Sequence, residues 1–262
     1  MTAQSDAQPA TAGPTADPTA SNAIKPGRLE NFVEMTIQTR HAQRLVQGRR
    51  GNPDKPPIIG LFRFGSEVRM IWAGAEWNDP YADWWLLHVE RTLQESRETI
   101  GAMRRSVDQQ LEGVAAMNVG IAESAEPNRI ELSFKTPYAF MGAWLLVDFD
   151  ELVLRIMTAR HVGLMTRDDS GRRLAEAGRA VRHAFDSVQG YQFMNVKRPD
   201  VRDNTRRGQK ALERYGSLPQ DVLDGGLRAE HAPEIGPTDT QSDARASGTT
   251  FDDGHDDEPD AS

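Results

Sequence analysis

From Asn78 to Leu111 the chain carries a seam that only a long helix can use. Asn78-Asp79-Pro80 sets an Asx cap before a proline, whose missing N–H does no harm in a first turn. Leu86, Val89, Leu93, Ser96, Ile100, Met103 and Val107 then recur at alternating spacings of three and four. That pattern is the apolar stripe of one amphipathic helix from about Pro80 to Leu111. At 1.5 Å per residue it would run on the order of 45–50 Å. A core of about 200 residues does not easily cover that length. The seam is therefore read as reaching past the core toward a second copy of the chain, a homodimer.

Around this helix the pattern mixes strands and helices. Phe32 to Thr39 alternates, with Val33, Met35 and Ile37 on one side and Glu34, Thr36 and Gln38 on the other, as a half-buried strand does. Arg40 to Arg50 is a short helix or loop, followed by the turn-rich Gly51 to Pro57. Ile58 to Phe64 and Glu67 to Trp72 read as two short strands joined near Gly65-Ser66. Met117 to Ala122 and Arg129 to Lys135, separated by Glu126-Pro127-Asn128, read as an antiparallel hairpin. After Thr136-Pro137, the residues Leu145, Phe149, Leu152, Ile156 and Ala159 keep helical spacing to about Gly163. A further helix capped by Asp168 or Asp169 runs to about Val188, and another from Val201 to Tyr215 is closed by Gly216 and Pro219. The fold expected is α+β: a small antiparallel sheet packed by several helices, one of them long and amphipathic, with disordered tails at both ends.

The tails follow from composition. Residues 1–27 are mostly Ala, Thr, Pro, Ser, Gln and Asp, and residues 228–262 are acidic with Phe251 as their lone aromatic. Neither can bury enough apolar surface to offset an ordering entropy of about 1–2 kcal/mol per residue. A single core domain is thus expected over residues 28–227. Glu230, Glu234, Asp239, Asp243, Asp252, Asp253, Asp256, Asp257, Glu258 and Asp260 face only Arg228 and Arg245, so this stretch accounts for the whole net charge of −8. The core is close to neutral, and an anionic partner for it stays open.

The chain has no cysteine, which removes disulfides, zinc–thiolate sites and thiol nucleophiles together. A secretory signal is not visible in the first residues, and no apolar run approaches the ~20 residues of a membrane span. A cytoplasmic protein without membrane partners is expected.

Signals for chemistry are weak. Asp79, Asp83 and His88 lie within one helical stretch and could bind a cation or move a proton, but the same residues suit a capped helix start with tryptophans packed beneath. There is no H-E-x-x-H pattern. His161 near a helix end has no nucleophile linked to it, and Ser133 and Ser170 lack an elbow motif. Phosphate-cradling glycine loops are absent. No catalytic residue, metal or cofactor is assigned.

The basic segment is more suggestive. Lys197, Arg198, Arg202, Arg206, Arg207, Lys210 and Arg214 face only Asp200, Asp203 and Glu213. Arg202, Arg206, Lys210 and Arg214 are spaced by four and would form one helical stripe, with Val201, Thr205, Gly208, Leu212 and Tyr215 on the core side. Arg172, Arg173, Arg179 and Arg182 precede them. Such a face can hold phosphates, and it can equally be a solvated surface paired with local acids. Arg202, Arg206, Arg207, Lys210, Arg214, Arg179 and Arg182 are the candidate DNA phosphate contacts. Glu131, Ser133 and Lys135, or Thr36, Gln38 and Arg40, are weaker candidates for base contact. The acidic tail either shields this face by mimicking phosphates or serves solubility.

Four runs taken together resemble a known family: Asn78 to Leu87 (N-D-P-Y-A-D-W-W-L-L), Phe134-Lys135-Thr136-Pro137-Tyr138, Asp148 to Val153, and Ala159 to Leu164. Val181-Arg182 to Phe185, Arg198 to Thr205 and the Gly216-Ser217-Leu218-Pro219 turn agree. The likeness is to the integrating conjugative element proteins of unassigned function, related to the AcaB-like transcriptional regulators of conjugation, and covers about residues 30–232. It implies a non-enzymatic accessory protein of an integrative and conjugative element, and a DNA-binding regulator of its transfer genes. It leaves open instead a protein-interaction component of the conjugation machinery, docking other element proteins through Trp72, Trp77, Trp84 and Trp85. The relative's ribbon-helix-helix-like arrangement would correspond to the strand and two helices from Arg129 onward, without a short Gly-x-[Ser/Thr/Asn] link. No base-reading residue is carried over.

Overall fold

The computed structural model describes residues 33–113 and 119–236. In chain order the elements are β1 (Val33–Ile37), α1 (Arg40–Gln47), α2 (Leu61–Glu76), α3 (Pro80–Glu112), β2 (Asn128–Leu132), α4 (Pro137–His161), α5 (Arg167–Asp186), α6 (Arg198–Arg202), α7 (Arg206–Tyr215) and α8 (Gln220–Leu223). The fold is α+β and mostly helical, with one small antiparallel sheet. No described helix is long and apolar enough to cross a membrane. The expected tails at residues 1–27 and beyond 236 lie outside the described residues.

The long helix forms where the seam puts it. α3 has 33 residues, with Pro80 in its first turn and Asp79 as N-cap, accepting from the N–H groups of Tyr81 and Ala82. Leu86, Val89, Leu93, Ile100 and Val107 are buried along it. The seam does not reach beyond the core for a second copy. α4, α2 and α5 cover it, α4 with the largest share. Wrapping three helices around a 33-residue helix solves the length problem within one chain.

The same logic places the other helices. Thr136 caps α4 by accepting from Ala139 N–H, with Pro137 following. Thr166, rather than Asp168 or Asp169, caps α5 and leaves those two acids in the first turn, where the helix dipole favours them. Thr39 caps α1. Asp150, buried on α4, reaches across to accept from the backbone N–H groups of Gln38 and Thr39 at 2.7 and 2.9 Å. This bond joins β1, α1 and the middle of α4.

Three expectations are corrected. Ile58 to Phe64 and Glu67 to Trp72 are not strands. From Leu61 they are the single helix α2, with Leu61, Phe64, Val68, Ile71 and Ala75 buried at helical spacing. Gly65 is not a turn there; an added Cβ would lie 2.7 Å from the Phe134 ring, so glycine marks close packing. The expected hairpin also fails. β2 pairs antiparallel with β1, in the register Val33↔Leu132, Met35↔Ile130, Ile37↔Asn128. Residues 119–122 form no strand; Val119 and Ile121 pack on the core, and Ala122 N–H donates to Thr158 Oγ1. Met117 lies outside the described residues. Finally, Val201 to Tyr215 is not one helix. α6 ends at Arg202 with Asp203 as its C-cap, Asn204 takes a positive φ of 53°, and Thr205 caps a new helix, α7.

Arg228 to Gly236, grouped with the C-terminal tail on composition, are held on the core. Ala229 is buried, Glu230 N–H donates to the Glu90 carboxylate, His231 N–H to Tyr138 Oη, and Gly236 N–H to Glu76 O at 2.9 Å. Composition reads this stretch as tail because, apart from the Arg228 side chain and buried Ala229, its attachment is through backbone N–H groups.

Candidate nucleic-acid interface

α7 is short and steeply polar. Gly208 and Ala211 face inward, while Arg206, Arg207, Gln209, Lys210, Glu213 and Arg214 are exposed. Gly208 is required where α7 crosses α6, because a side chain would collide with the Asp200 carbonyl. Leu212, expected on the core side, is exposed. The break at Asn204 turns α7 away from the line of α6, so Val201 and Leu212 do not share a buried face.

Opposite α7 lies the segment after α5. It is pinned at four points. Tyr215 Oη accepts from Gln192 N–H at 2.7 Å and donates to Gln192 O at 2.9 Å. Trp85 Nε1 donates to Gln189 O, and Trp77 Nε1 donates to Asn195 Oδ1 at 2.9 Å. Beneath it, the Tyr215 ring packs on Tyr81 and Trp85, each with centroids at 5.2 Å. Between this segment and α7 runs a groove of about 800 Å³, lined by Gln192, Phe193, Met194, Arg207, Lys210, Glu213 and Arg214.

The candidate cations divide into groups. Lys210 and Arg214 have no carboxylate within ion-pair distance among the described residues, and neither does exposed Arg206. Arg207 lies at the limit, 4.0 Å from Asp200, whose carboxylate is also taken by Lys197 N–H and the Thr205 hydroxyl. Arg202 is not on the same helix as the others; it sits at the end of α6 and pairs with Asp224 at 3.2 Å and with Leu223 O. The stripe spaced by four is therefore cut after its first member. Arg179 and Arg182 belong to α5, which packs on α2, α3 and α4, and they do not line the groove. Of the wider basic set, Lys197 stacks 4.1 Å above the Trp77 ring, Arg172 pairs with Asp169, and Arg173 donates to Ser106 Oγ.

Arg198 is no surface cation at all. It is buried and donates to Asp83 Oδ2, to Asn78 Oδ1 and to Val222 O. Arg228 meets the same carboxylate at 3.0 Å and reaches Ala75 O. Two guanidiniums thus share one buried carboxylate, tying α3 to α6, α8 and the C-terminal segment. From sequence, Asp83 suited either a cation- or proton-handling cluster with Asp79 and His88 or the helix dipole; the signal that could have found its partners was Arg198 before Pro199, a charge at a helix start that the dipole alone disfavours.

Asp79 and Asp83 are therefore structural. Burial pushes the Asp79 carboxyl up to about 6, against hydrogen bonds from Tyr191 Oη and the Tyr81 and Ala82 N–H groups that favour its charge. His88 is half-buried beside Arg91, and burial with that neighbour holds its imidazole below the usual value. Among the described residues no three His, Asp or Glu side chains gather as metal ligands. His161 is exposed at the end of α4.

Outward on the sheet, Glu34 faces Glu131 and Thr36 faces Arg129, and the exposed Arg129 guanidinium lies 3.9 Å from Glu34. Gln38 is committed to Ser124 N–H and Asp150. Of the four tryptophans considered for docking, Trp72 packs on Tyr138 and Trp85 on Tyr191 and Tyr215, while Trp77 (46 %) and Trp84 (39 %) are exposed and Trp77 already carries Asn195 and Lys197; the fifth, Trp144 on α4, is exposed as well.

The comparisons with known proteins give one family match and one likeness of fold. The family model of the transcriptional regulator AcaB matches residues 25–236. No curated protein matches the chain. The crystal structure of selenomethionine-containing AcaB from uropathogenic E. coli is similar at a TM-score of 0.51 and 12 % identity, covering 74 % of this chain and 95 % of that one. At that identity the likeness is one of fold, while the family match spans the whole described core. The chain belongs to the AcaB family of transcriptional regulators.

Proposed function

We propose that this regulator works by binding DNA, and that it controls the conjugative transfer genes of an integrative and conjugative element without catalysing any reaction. The observation that carries the proposal is the groove at α7, where Arg207, Lys210 and Arg214 converge and Arg206 stands exposed at the helix start. Desolvated ion pairs would hide such charges, yet Lys210, Arg214 and Arg206 keep theirs unpaired among the described residues. Four cations on ten residues of rigid helix give a concentrated site for phosphates. Phosphate contacts set position; base contacts, from elements this surface does not itself name, would set the site read.

The protein is proposed to act in the cytoplasm as a homodimer, with other conjugative-element proteins as further partners. A salt-titrated gel shift on duplex DNA from the element's own transfer-gene promoters tests the reading. Four phosphate contacts per protomer would give a slope of log affinity against log salt on the order of −3 to −4 per protomer. Binding that stays flat from low to high salt would remove DNA as the partner. Charge reversal on α7 that spares binding to a co-purified transfer protein would then favour the protein-docking alternative.

A further inference from the structure

We infer that the groove between α7 and the Gln192–Met194 segment is the seat of the chain's own acidic segment, residues 251–260, when nothing else occupies it. Three observations converge on this occupant: groove chemistry, chain attachment and chain reach.

The groove is not merely basic. Phe193, 46 % exposed, and Met194 stand on one wall, and Arg207, Lys210 and Arg214 on the other, three cations against the single acid Glu213. An occupant that uses both walls needs an apolar group next to several negative charges. Residues 251–260 read Phe251-Asp252-Asp253-Gly254-His255-Asp256-Asp257-Glu258-Pro259-Asp260. Phe251 is the one large aromatic in the acidic tail, and it is followed directly by the densest cluster of acids in the chain. The order is that of the groove, apolar beside charged.

The attachment point lies at the groove wall. Gly236 N–H is bonded to Glu76 O at 2.9 Å, at the end of α2. The next residue, Trp77, holds Asn195 through its indole N–H, and Asn195 follows Met194. The described chain therefore ends one side chain away from the groove's apolar wall.

The reach is ample. Fully extended, the fifteen or so residues from Gly236 to Phe251 reach about 50 Å, and a random coil of that length has an r.m.s. span of roughly 20 Å. A short tether of this kind places the segment at an effective concentration on the order of millimolar. Weak charge pairing, worth little between separate molecules, is then enough to populate the seat, and it weakens as salt screens it. The segment's carboxylates would occupy the positions of phosphates, so anions binding at α7 must displace it. That consequence rests on the DNA reading; the seat itself does not.

The chain has no cysteine, so the full-length protein can be tested by a single engineered pair. Gln192→Cys with Thr250→Cys places thiols at the groove and beside Phe251. Gln109→Cys with Thr250→Cys is the control, because Gln109 is exposed at the far end of α3. At low salt the groove pair should close an intramolecular disulfide about tenfold faster than the control pair. Half-molar salt, or Phe251→Ala with every acid kept, should erase most of the difference. Equal rates for the two pairs, a groove rate indifferent to both changes, or a disulfide formed only between copies would overturn the proposal. Adding duplex DNA separates the two readings: suppression of the groove disulfide supports both, and an unchanged disulfide keeps the seat while removing DNA from this groove.

Discussion

Asp83 and Arg198 meet inside the protein, with Arg198 Nη2 at 2.5 Å from Asp83 Oδ2, the carboxylate fully buried and the guanidinium nearly so. Arg228 approaches the same carboxylate from the C-terminal segment at 3.0 Å. A buried pair of this kind contributes little net stability compared with an apolar replacement, but removing one partner leaves a buried charge uncompensated. Here the pair also decides geometry: it holds α6, and through α6 the start of α7, against the N-terminus of α3.

Arg198→Ala should cost about 3 kcal/mol, because the partly exposed Arg228 left on the carboxylate does not replace the buried guanidinium or its bonds to Asn78 Oδ1 and Val222 O. Arg228→Ala should cost less, because Arg228 is partly exposed and Arg198 remains on the carboxylate. Urea unfolding of the two variants checks the order. Equal midpoints for Arg198→Ala and the parent would mean that the pair does not hold α6.

Asp150→Ala tests the second buried carboxylate. It strips the acceptor from the N–H groups of Gln38 and Thr39. A loss of about 2–4 kcal/mol is expected: the buried Thr39 N–H loses its acceptor at roughly 1–3 kcal/mol, and the part-buried Gln38 N–H, which water can reach, adds less. Hydrogen exchange should rise first at the start of α1. If exchange there is unchanged while global stability falls, the bond is not what anchors β1 to α4.

Asp79 gives stability a pH dependence of unusual sign. Unfolded, an aspartate ionises near 3.8; folded, burial moves Asp79 to about 6. Between those values the folded chain keeps a proton that the unfolded chain has released, so stability falls as pH rises from about 4 to 6. The group's contribution is present below 3.8 and lost above 6, on the order of 3 kcal/mol in all. Asp79→Asn keeps a capping side chain without the charge. Its stability profile should be flatter over that range, and it should gain on the parent at pH 7. An unaltered slope in denaturation experiments from pH 4 to 6 would assign the dependence to other groups.

How far the sequence announced this structure depends on whether the signal was local. The long helix was legible because its cap, its proline and its seam all lie within one stretch. The helices α4 and α5 and the strand β1 were legible for the same reason. α2 was not, because Gly65-Ser66 looks like a turn unless Phe134, some seventy positions away, is known to press against Gly65. The pairing of β2 with β1 was hidden equally, since two alternating runs close in sequence suggest a hairpin and nothing local names a distant partner. At the candidate site, the cations of α7 were legible and their setting was not. Spacing by four treated Arg202 as part of one stripe, and only the left-handed backbone at Asn204 ends that stripe. Arg198 counted as surface charge because its partner, Asp83, lies 115 residues away. The groove's apolar wall, Phe193 and Met194, had no periodicity to mark it.

The division among the candidate cations yields the last prediction. Lys210→Glu and Arg214→Glu place a negative charge in the groove, so each should weaken DNA binding strongly. The corresponding alanine variants should each reduce the salt slope by about 1. Arg202→Ala should do less, because its guanidinium is already engaged by Asp224 and Leu223 O. Arg179→Ala and Arg182→Ala, on α5 and away from the groove, should leave the slope as it is. Fluorescence anisotropy on one promoter duplex at several salt concentrations measures all five alanine variants side by side. A uniform loss across them would show that DNA sees only the total charge of the fold. A loss confined to Arg179 and Arg182 would move the interface to α5. Only the graded order, Lys210 and Arg214 first and the α5 arginines last, is what a phosphate site built on α7 requires, since charge that is already paired or lies outside the groove releases no counterions on binding.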